Sequence, residues 1–195
     1  MLPLAITLAV AVLLLAVGMT LYNGLVRLRQ RVRNAFAQID VQLRRRHDLI
    51  PSLVETAKGY LQHERETLER VIAARSQAVT AERAASQNPG DPAAMGLMQQ
   101  AEAAFSGAIG RLMAVAEAYP ELRADAQMRE LHEELTSTEN RIAFARQHYN
   151  DAVERYNVAC EAVPSAWVAG PFGFRQAATF EAPAETREAP AVSFS

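Results

Sequence analysis

The sequence has one cysteine and one tryptophan in 195 residues. The lone thiol, Cys160, permits no disulfide within the chain and no Cys-built metal site. It sits one position past an apolar helical seam, so it reads as a small, partly buried hydrophobe. Runs of β-branched residues are absent, and glycine is sparse between Gly24 and Pro164. That argues against a sheet and leaves an alanine-rich helical composition. Arginines are not interleaved with stacking aromatics and the net charge is −2, so nucleic acid is not an expected partner. The most telling absence is charge: no ionisable side chain occurs from Leu2 to Leu21.

Those twenty residues, LPLAITLAVAVLLLAVGMTL, would span about 30 Å as a helix, the thickness of a bilayer's hydrocarbon core. Arg27, Arg29, Arg31, Arg33, Arg44, Arg45 and Arg46 follow, with only Asp40 against them. Basic residues beside a spanning helix stay in the cytoplasm. The expectation is a single-pass protein of a bacterial inner membrane, its N-terminus outside and about 170 residues inside. A cleaved signal is the competing reading, with Ala16-Val17-Gly18 as its cleavage site. It lacks a basic leading region, its apolar run is too long, and its charge asymmetry points the wrong way. The arginine collar sets topology and would also attract anionic headgroups.

Four helical stretches follow from apolar spacing. The first carries Leu25, Leu28, Val32, Phe36, Ile39 and Leu43. Pro51 interrupts it, so Asp48 to Pro51 either ends one helix and caps the next or kinks a continuous one. The second runs from about Glu64 to Arg83 with Leu68, Val71, Ile72 and Val79 inward. Ser86-Gln87-Asn88-Pro89-Gly90-Asp91-Pro92 makes a loop, expected at the far end of the bundle. The third holds Met98, Ala101, Phe105, Ala108, Leu112, Val115 and Tyr119, and stops at Pro120. Asp125 caps the fourth, whose seam is Leu131, Leu135, Thr138, Ile142, Ala145, Tyr149, Ala152, Tyr156, Ala159 and Val163.

The expected fold is therefore all-α: an N-terminal transmembrane helix, then an up-and-down antiparallel four-helix bundle whose first and fourth helices are long. Residues 1–21 form the anchor, 22–163 the bundle, 164–181 an aromatic Gly/Pro segment, and 182–195 a disordered tail. The fourth helix returns toward the membrane. It should deliver Trp167, Phe172 and Phe174 to the headgroup region or to the base of the two long helices, beside Arg27, Arg29, Arg31 and Arg33.

The segments Tyr22–Arg29, Gln38–Glu55, Ala118–Leu122 (AYPEL), Thr138–Ala143 (TENRIA), Tyr149–Val153 (YNDAV) and Phe172–Phe174 resemble the LemA family of bacterial membrane proteins. The likeness covers roughly residues 20 to 180. Ser52 stands where the family usually has asparagine, and Phe36 where it has tryptophan. The resemblance implies a membrane-anchored up-and-down bundle and no particular reaction. Family genes often neighbour an HtpX-type membrane metalloprotease, and one branch belongs to magnetosome membranes, which implies roles in membrane organisation or quality control.

No catalytic, cofactor or metal site is expected. His47, His63, His132 and His148 form no HExxH pair, and no Glu-x-x-His pair of the di-iron bundles occurs, although Glu139 could point inward. His132 before Glu133-Glu134 resembles a phospho-acceptor box only faintly; a solvated histidine on an acidic helix is simpler. No Ser-His-Asp set and no phosphate-binding glycine loop is visible, so no small-molecule substrate is expected. The polar residues beside the long seams, Asp40, Arg46, Asp48, Asn140 and Arg141, are the candidate patch, fixing helix register or binding a partner. The functional expectation is a non-enzymatic scaffold or adaptor at the lipid bilayer, in homo-oligomeric form. The runner-up is an accessory of a membrane metalloprotease in envelope quality control or stress response, and a metal- or phosphotransfer-dependent enzyme is the distant third.

Overall fold

A computed structural model describes residues 2–61 and 63–180, and the tail expected at 182–195 lies outside the described residues. The helices are α1 (Leu2–Lys58), α2 (Arg65–Gln87), α3 (Pro92–Glu117), α4 (Pro120–Ala124), α5 (Ala126–Glu161) and α6 (Ala166–Ala169), with no strand among the described residues. Among the described residues α1 alone is long and apolar enough to cross a membrane, and no residue of its apolar stretch is buried by the rest of the chain. At 57 residues it extends about 85 Å. The apolar stretch thus continues without a break into the helix that carries the core.

Pro51 does not end α1; it lies inside the helix on the exposed face. Proline has no N–H to give the carbonyl four residues back. That carbonyl belongs to His47, and the Arg75 guanidinium of α2 donates to it at 2.6 Å through Nε. The orphaned acceptor is thereby satisfied from a neighbouring helix rather than by a local turn. Asp48, free of any capping role, is exposed and only 3.9 Å from Arg75.

The other boundaries obey ordinary capping. Asp91 accepts from Ala94 N at 2.9 Å with Pro92 opening α3, and Asp125 accepts from Met128 N at 2.9 Å to open α5. Pro120 opens the single-turn helix α4, which periodicity does not reveal.

Burial follows the expected seams in α1 and most of α5, with local corrections. Ile72 is exposed and Val79 only half-buried; Ala78, Glu82 and Ala85 face inward instead. In α3, Glu102 and Ala116 are buried where Ala101 and Val115 are half-buried. Val153 joins the α5 core, and Val163 is exposed beyond the helix end. Small residues on the inner face of α2 permit close approach, so spacing decides burial there rather than side-chain size.

Two apolar cores form. One gathers Leu25 to Leu43 of α1, Ala85 of α2, Met95 and Met98 of α3, and Ile142 to Tyr156 of α5. The other gathers Ile50 to Ala57 of α1, Leu68 to Ala78 of α2, Phe105 to Ala116 of α3, and Met128 to Leu135 of α5. The loop between α2 and α3 lies on the anchor side, not at the far end. Gly90 there packs against Ala177 and the Tyr149 hydroxyl, because α2 runs back toward the apolar end of α1.

After α6 the chain turns and runs back along α5. Asn157 pairs with the backbone of Ala177 through both side-chain atoms, each at 2.9 Å. Asn150, two turns away on the same face, does the same for Phe180, at 2.9 and 2.7 Å. The Tyr149 hydroxyl donates to Ala178 O at 2.9 Å, and Ala178 N donates to Gly90 O at 2.9 Å. An extended segment is thus held by asparagine amides that stand in for a neighbouring strand. Gly90 has φ +92°, and a Cβ there would sit 2.7 Å from the Ala177 methyl, so this position requires glycine.

Candidate functional site

Between the two cores each long helix interrupts its apolar seam with polar residues at one level. In α1 they are Arg46 and His47, between Leu43 and Ile50. In α2 it is Glu82, between Ala78 and Ala85. In α3 it is Glu102, between Met98 and Phe105. In α5 they are Thr138 and Glu139, between Leu135 and Ile142. Arg46, His47, Glu82, Glu102 and Thr138 are all buried.

Arg46 is the hub. Its Nη2 donates to Glu102, and its Nη1 donates to Glu139 at 2.5 Å and to Ser106 Oγ at 3.1 Å. The guanidinium also lies over the Phe105 ring, 5.2 Å from its centroid. His47 Nε2 donates to the other Glu102 oxygen at 3.0 Å, and its Nδ1 is 3.9 Å from Glu82. Glu102 is therefore clamped by two neighbours from α1. Burial alone would raise its pKa, but the His47 hydrogen bond and the Arg46 charge outweigh burial and hold the carboxyl below the usual range.

Glu82 behaves in the opposite way. Burial, followed by the adjoining Asp40 carboxyl, pushes it up to about 7 against the pull of Arg44. A protonated Glu82 can donate to Asp40, whose buried Oδ1 otherwise lacks a partner among the described residues. Arg44 closes this end of the layer, with Nη2 2.8 Å from Asp40 and Nε 3.2 Å from Glu82. On α5 the Arg146 guanidinium stacks on Phe180 at 4.3 Å, and burial followed by the Arg46 charge lowers its pKa.

The layer contains two of the candidate residues, Asp40 and Arg46. Asp48, Asn140 and Arg141 are exposed and stand apart from it. Arg141 lines a shallow groove between α1 and α5 with Val41, Phe144 and His148, where Val41 is 60% and Phe144 74% exposed. His47, Glu82 and Glu102 complete the layer, and a charge set on an apolar 3–4 seam is the sequence signal that would find them. At the anchor end, Phe174 is buried against Tyr22 and beneath Arg29, whose guanidinium lies 5.0 Å from its ring. Phe172 meets Tyr22 edge-on at 5.2 Å yet is 64% exposed, and Trp167 is 73% exposed. Arg27, Arg31 and Arg33 are exposed around α1.

Chemically, the layer pairs mostly with itself. Arg46 gives its Nη atoms to Glu102, Glu139 and Ser106 and His47 gives Nε2 to Glu102, while Arg46 Nε and His47 Nδ1 have no hydrogen-bond partner among the described residues; among those residues no three His, Cys, Asp or Glu side chains converge as metal ligands. Cys160, the one thiol, is half-buried, and burial raises its pKa, which keeps it unreactive.

These features define a membrane-associated helical protein whose core is divided by a buried charged layer. The LemA family model matches residues 35–194, and the chain belongs to the LemA family. Among curated proteins it is similar to magnetosome protein MamQ of Magnetospirillum gryphiswaldense, 27% identical over 91% of this chain and 72% of that protein. It is also similar to magnetosome proteins MamQ 1 and MamQ 2 of Paramagnetospirillum magneticum, each 26% identical over 82% of this chain. The chain spans 64% of the length of those two relatives.

Proposed function

We propose that this chain is a non-enzymatic, membrane-anchored scaffold. Its four long helices, α1, α2, α3 and α5, form an up-and-down bundle on the cytoplasmic side of the inner membrane. The observation that carries this reading is the cross-helix charged layer. Arg46 of α1 is held by Glu102 and Ser106 of α3 and Glu139 of α5, and His47 by Glu102, so the polar chemistry of the core ties the helices to one level and serves their register. The two apolar cores support the bundle topology. Each draws on rising residue numbers in α1 and α3 and falling numbers in α2 and α5 as one moves away from the anchor. The arginines after Leu21 support the orientation. The exposed Val41 and Phe144 beside Arg141 give the scaffold a face for a second copy.

The test is purification of the complex from native membranes in mild detergent, with cross-linking, mass spectrometry and electron microscopy. A homogeneous assembly of this chain supports the scaffold. Stoichiometric recovery of a membrane metalloprotease would replace it with the adaptor reading. A reporter fused after Ser195 checks orientation: strong alkaline phosphatase activity would overturn the cytoplasmic placement.

A further inference from the structure

From Ala162 to Phe174 the chain reads AVPSAWVAGPFGF, with no charged side chain between Glu161 and Arg175. This stretch does not stop at the level of the arginines. Val168 and Phe172 form one wall of an apolar groove whose other wall is Ala11, Leu14, Gly18 and Tyr22 of α1. At 1.5 Å per residue, Leu14 lies about 10 Å from Leu21 along the helix, the depth of acyl chains rather than of water. The exposed large side chains of this stretch are apolar as well: Val163, Trp167 and Phe172.

The backbone fits that depth. Irregular chain exposed to lipid must satisfy its own polar groups, and most of this turn does so. Trp167 N donates to Pro164 O, Ala169 N to Ser165 O, Phe172 N to Val168 O and Phe174 N to Ala169 O. The Ser165 hydroxyl donates to Ala159 O, and Pro164 and Pro171 have no N–H to satisfy. The charged residues resume where the segment leaves this level, with Phe174 held under Arg29 and against Tyr22.

We propose that residues 162–174 insert into the bilayer leaflet beside the end of the α1 anchor, as an uncharged, self-bonded turn with Trp167 and Phe172 facing phospholipid. The inference rests on the anchor reading and adds a second lipid contact to it. The occupant is the bilayer because the groove is continuous with the apolar face of the spanning helix, and because the arginine collar stands immediately above it. Such a contact would fix the tilt of the bundle on the membrane, since one helix alone leaves it free to swivel.

Trp167 is the sole tryptophan, so its emission reports this segment alone. The full chain is reconstituted in phosphatidylcholine/phosphatidylglycerol vesicles, with or without bromine on the phosphatidylcholine acyl chains. Flotation of the vesicles reads anchoring separately. The expected result is blue-shifted emission, shielded from iodide and mostly lost in brominated lipid. Phe172→Asp, with unchanged helical circular dichroism, should return Trp167 to iodide. Emission quenched by iodide but not by bromine, in chain that still floats, overturns insertion and leaves the anchor standing. Emission shielded from both quenchers means that a second copy covers the segment, and also overturns it. Chain that fails to float removes the anchor and the proposal together.

Discussion

The hydrogen bond from Arg75 to His47 O exists because Pro51 cannot make it, and this dependence can be measured. Arg75→Met keeps most of the apolar stem and removes the donor. A charge-assisted hydrogen bond is worth about 1.5–3 kcal/mol, and an acceptor left unsatisfied adds its desolvation cost. Arg75 is one-third exposed, so water recovers part of the loss, and about 1–2 kcal/mol is expected. Its 3.9 Å approach to the exposed Asp48 adds little. Pro51→Ala restores an N–H beneath the same carbonyl and removes the proline ring from the helix interior. The gain is partly offset by a freer unfolded chain, which costs about 0.4–1 kcal/mol. In the Pro51→Ala background the carbonyl has a helical partner, so Arg75→Met should cost about 0.5 kcal/mol or less. The predicted coupling is therefore about 1 kcal/mol, above the roughly 0.3–0.5 kcal/mol within which independent sites add. Urea unfolding of the detergent-solubilised chain, followed by circular dichroism, measures all four corners of this cycle. Additive effects would refute the reasoning, because Arg75 would then be indifferent to the presence of an N–H at position 51.

Three further predictions concern the layer and the C-terminal segment. Arg46→Met should destabilise by about 3–5 kcal/mol in the same assay, since it removes the guanidinium from the buried Glu102 and leaves it only the His47 hydrogen bond. Glu82 has its pKa raised from 4.5 to about 7, so the native state holds a proton that the unfolded state has lost. Its contribution is fully present below about pH 4.5 and is lost as pH rises through about 7, a fall of order 1–3 kcal/mol that Glu82→Gln should abolish. Glu102 is shifted the opposite way, and its contribution is lost only as pH falls below the usual carboxylate range, so the two are separable in a pH titration of stability. Gly90→Ala meets both a left-handed φ and the Ala177 methyl. It should cost about 1–3 kcal/mol and detach the segment near Ala178, read as increased amide hydrogen exchange from Ala177 to Phe180.

The four long helices, the cap at Asp125 and the uncharged N-terminal stretch are legible in the sequence, because each rests on a local rule of spacing or chemistry. The α2 face is less so. In an alanine-rich helix the hydrophobic vector is weak, and picking the larger Ile72 and Val79 rotates the inward face away from Ala78 and Glu82. The same ambiguity of one position separates Ala101 from the buried Glu102. Arg46 and Asp40 can be singled out beside the α1 seam, but their partners cannot be paired across 42 to 93 positions of sequence without knowing the level of each helix. The continuity of α1 through Pro51 is illegible for the same reason: the group that makes it tolerable, Arg75, is on another helix. Asn150 and Asn157 read as solvated helix residues until the chain that they bind is seen beside them.

The position of the charged layer gives it a mechanical meaning. Long seams built on alanine and evenly spaced aliphatics offer little resistance to sliding by one helical turn, because each shift replaces one apolar contact by another. A slide of one turn on α1 would carry Arg46 from beside Glu102 and Glu139 into the level of Leu43 or Ile50, stripping a buried cation of both carboxylates. That penalty is far larger than the loss of any single apolar contact. Replacing Arg46, His47, Glu82 and Glu102 together by apolar residues of similar volume removes the penalty without leaving a lone charge. The redesigned chain should be at least as resistant to urea as the parent. Its register should be poorer, visible as multiple amide resonances or as out-of-step disulfide cross-links between cysteines introduced on α1 and α5. A redesigned chain that keeps one register would show that the seams alone specify alignment, and the layer would then need another reason to be there.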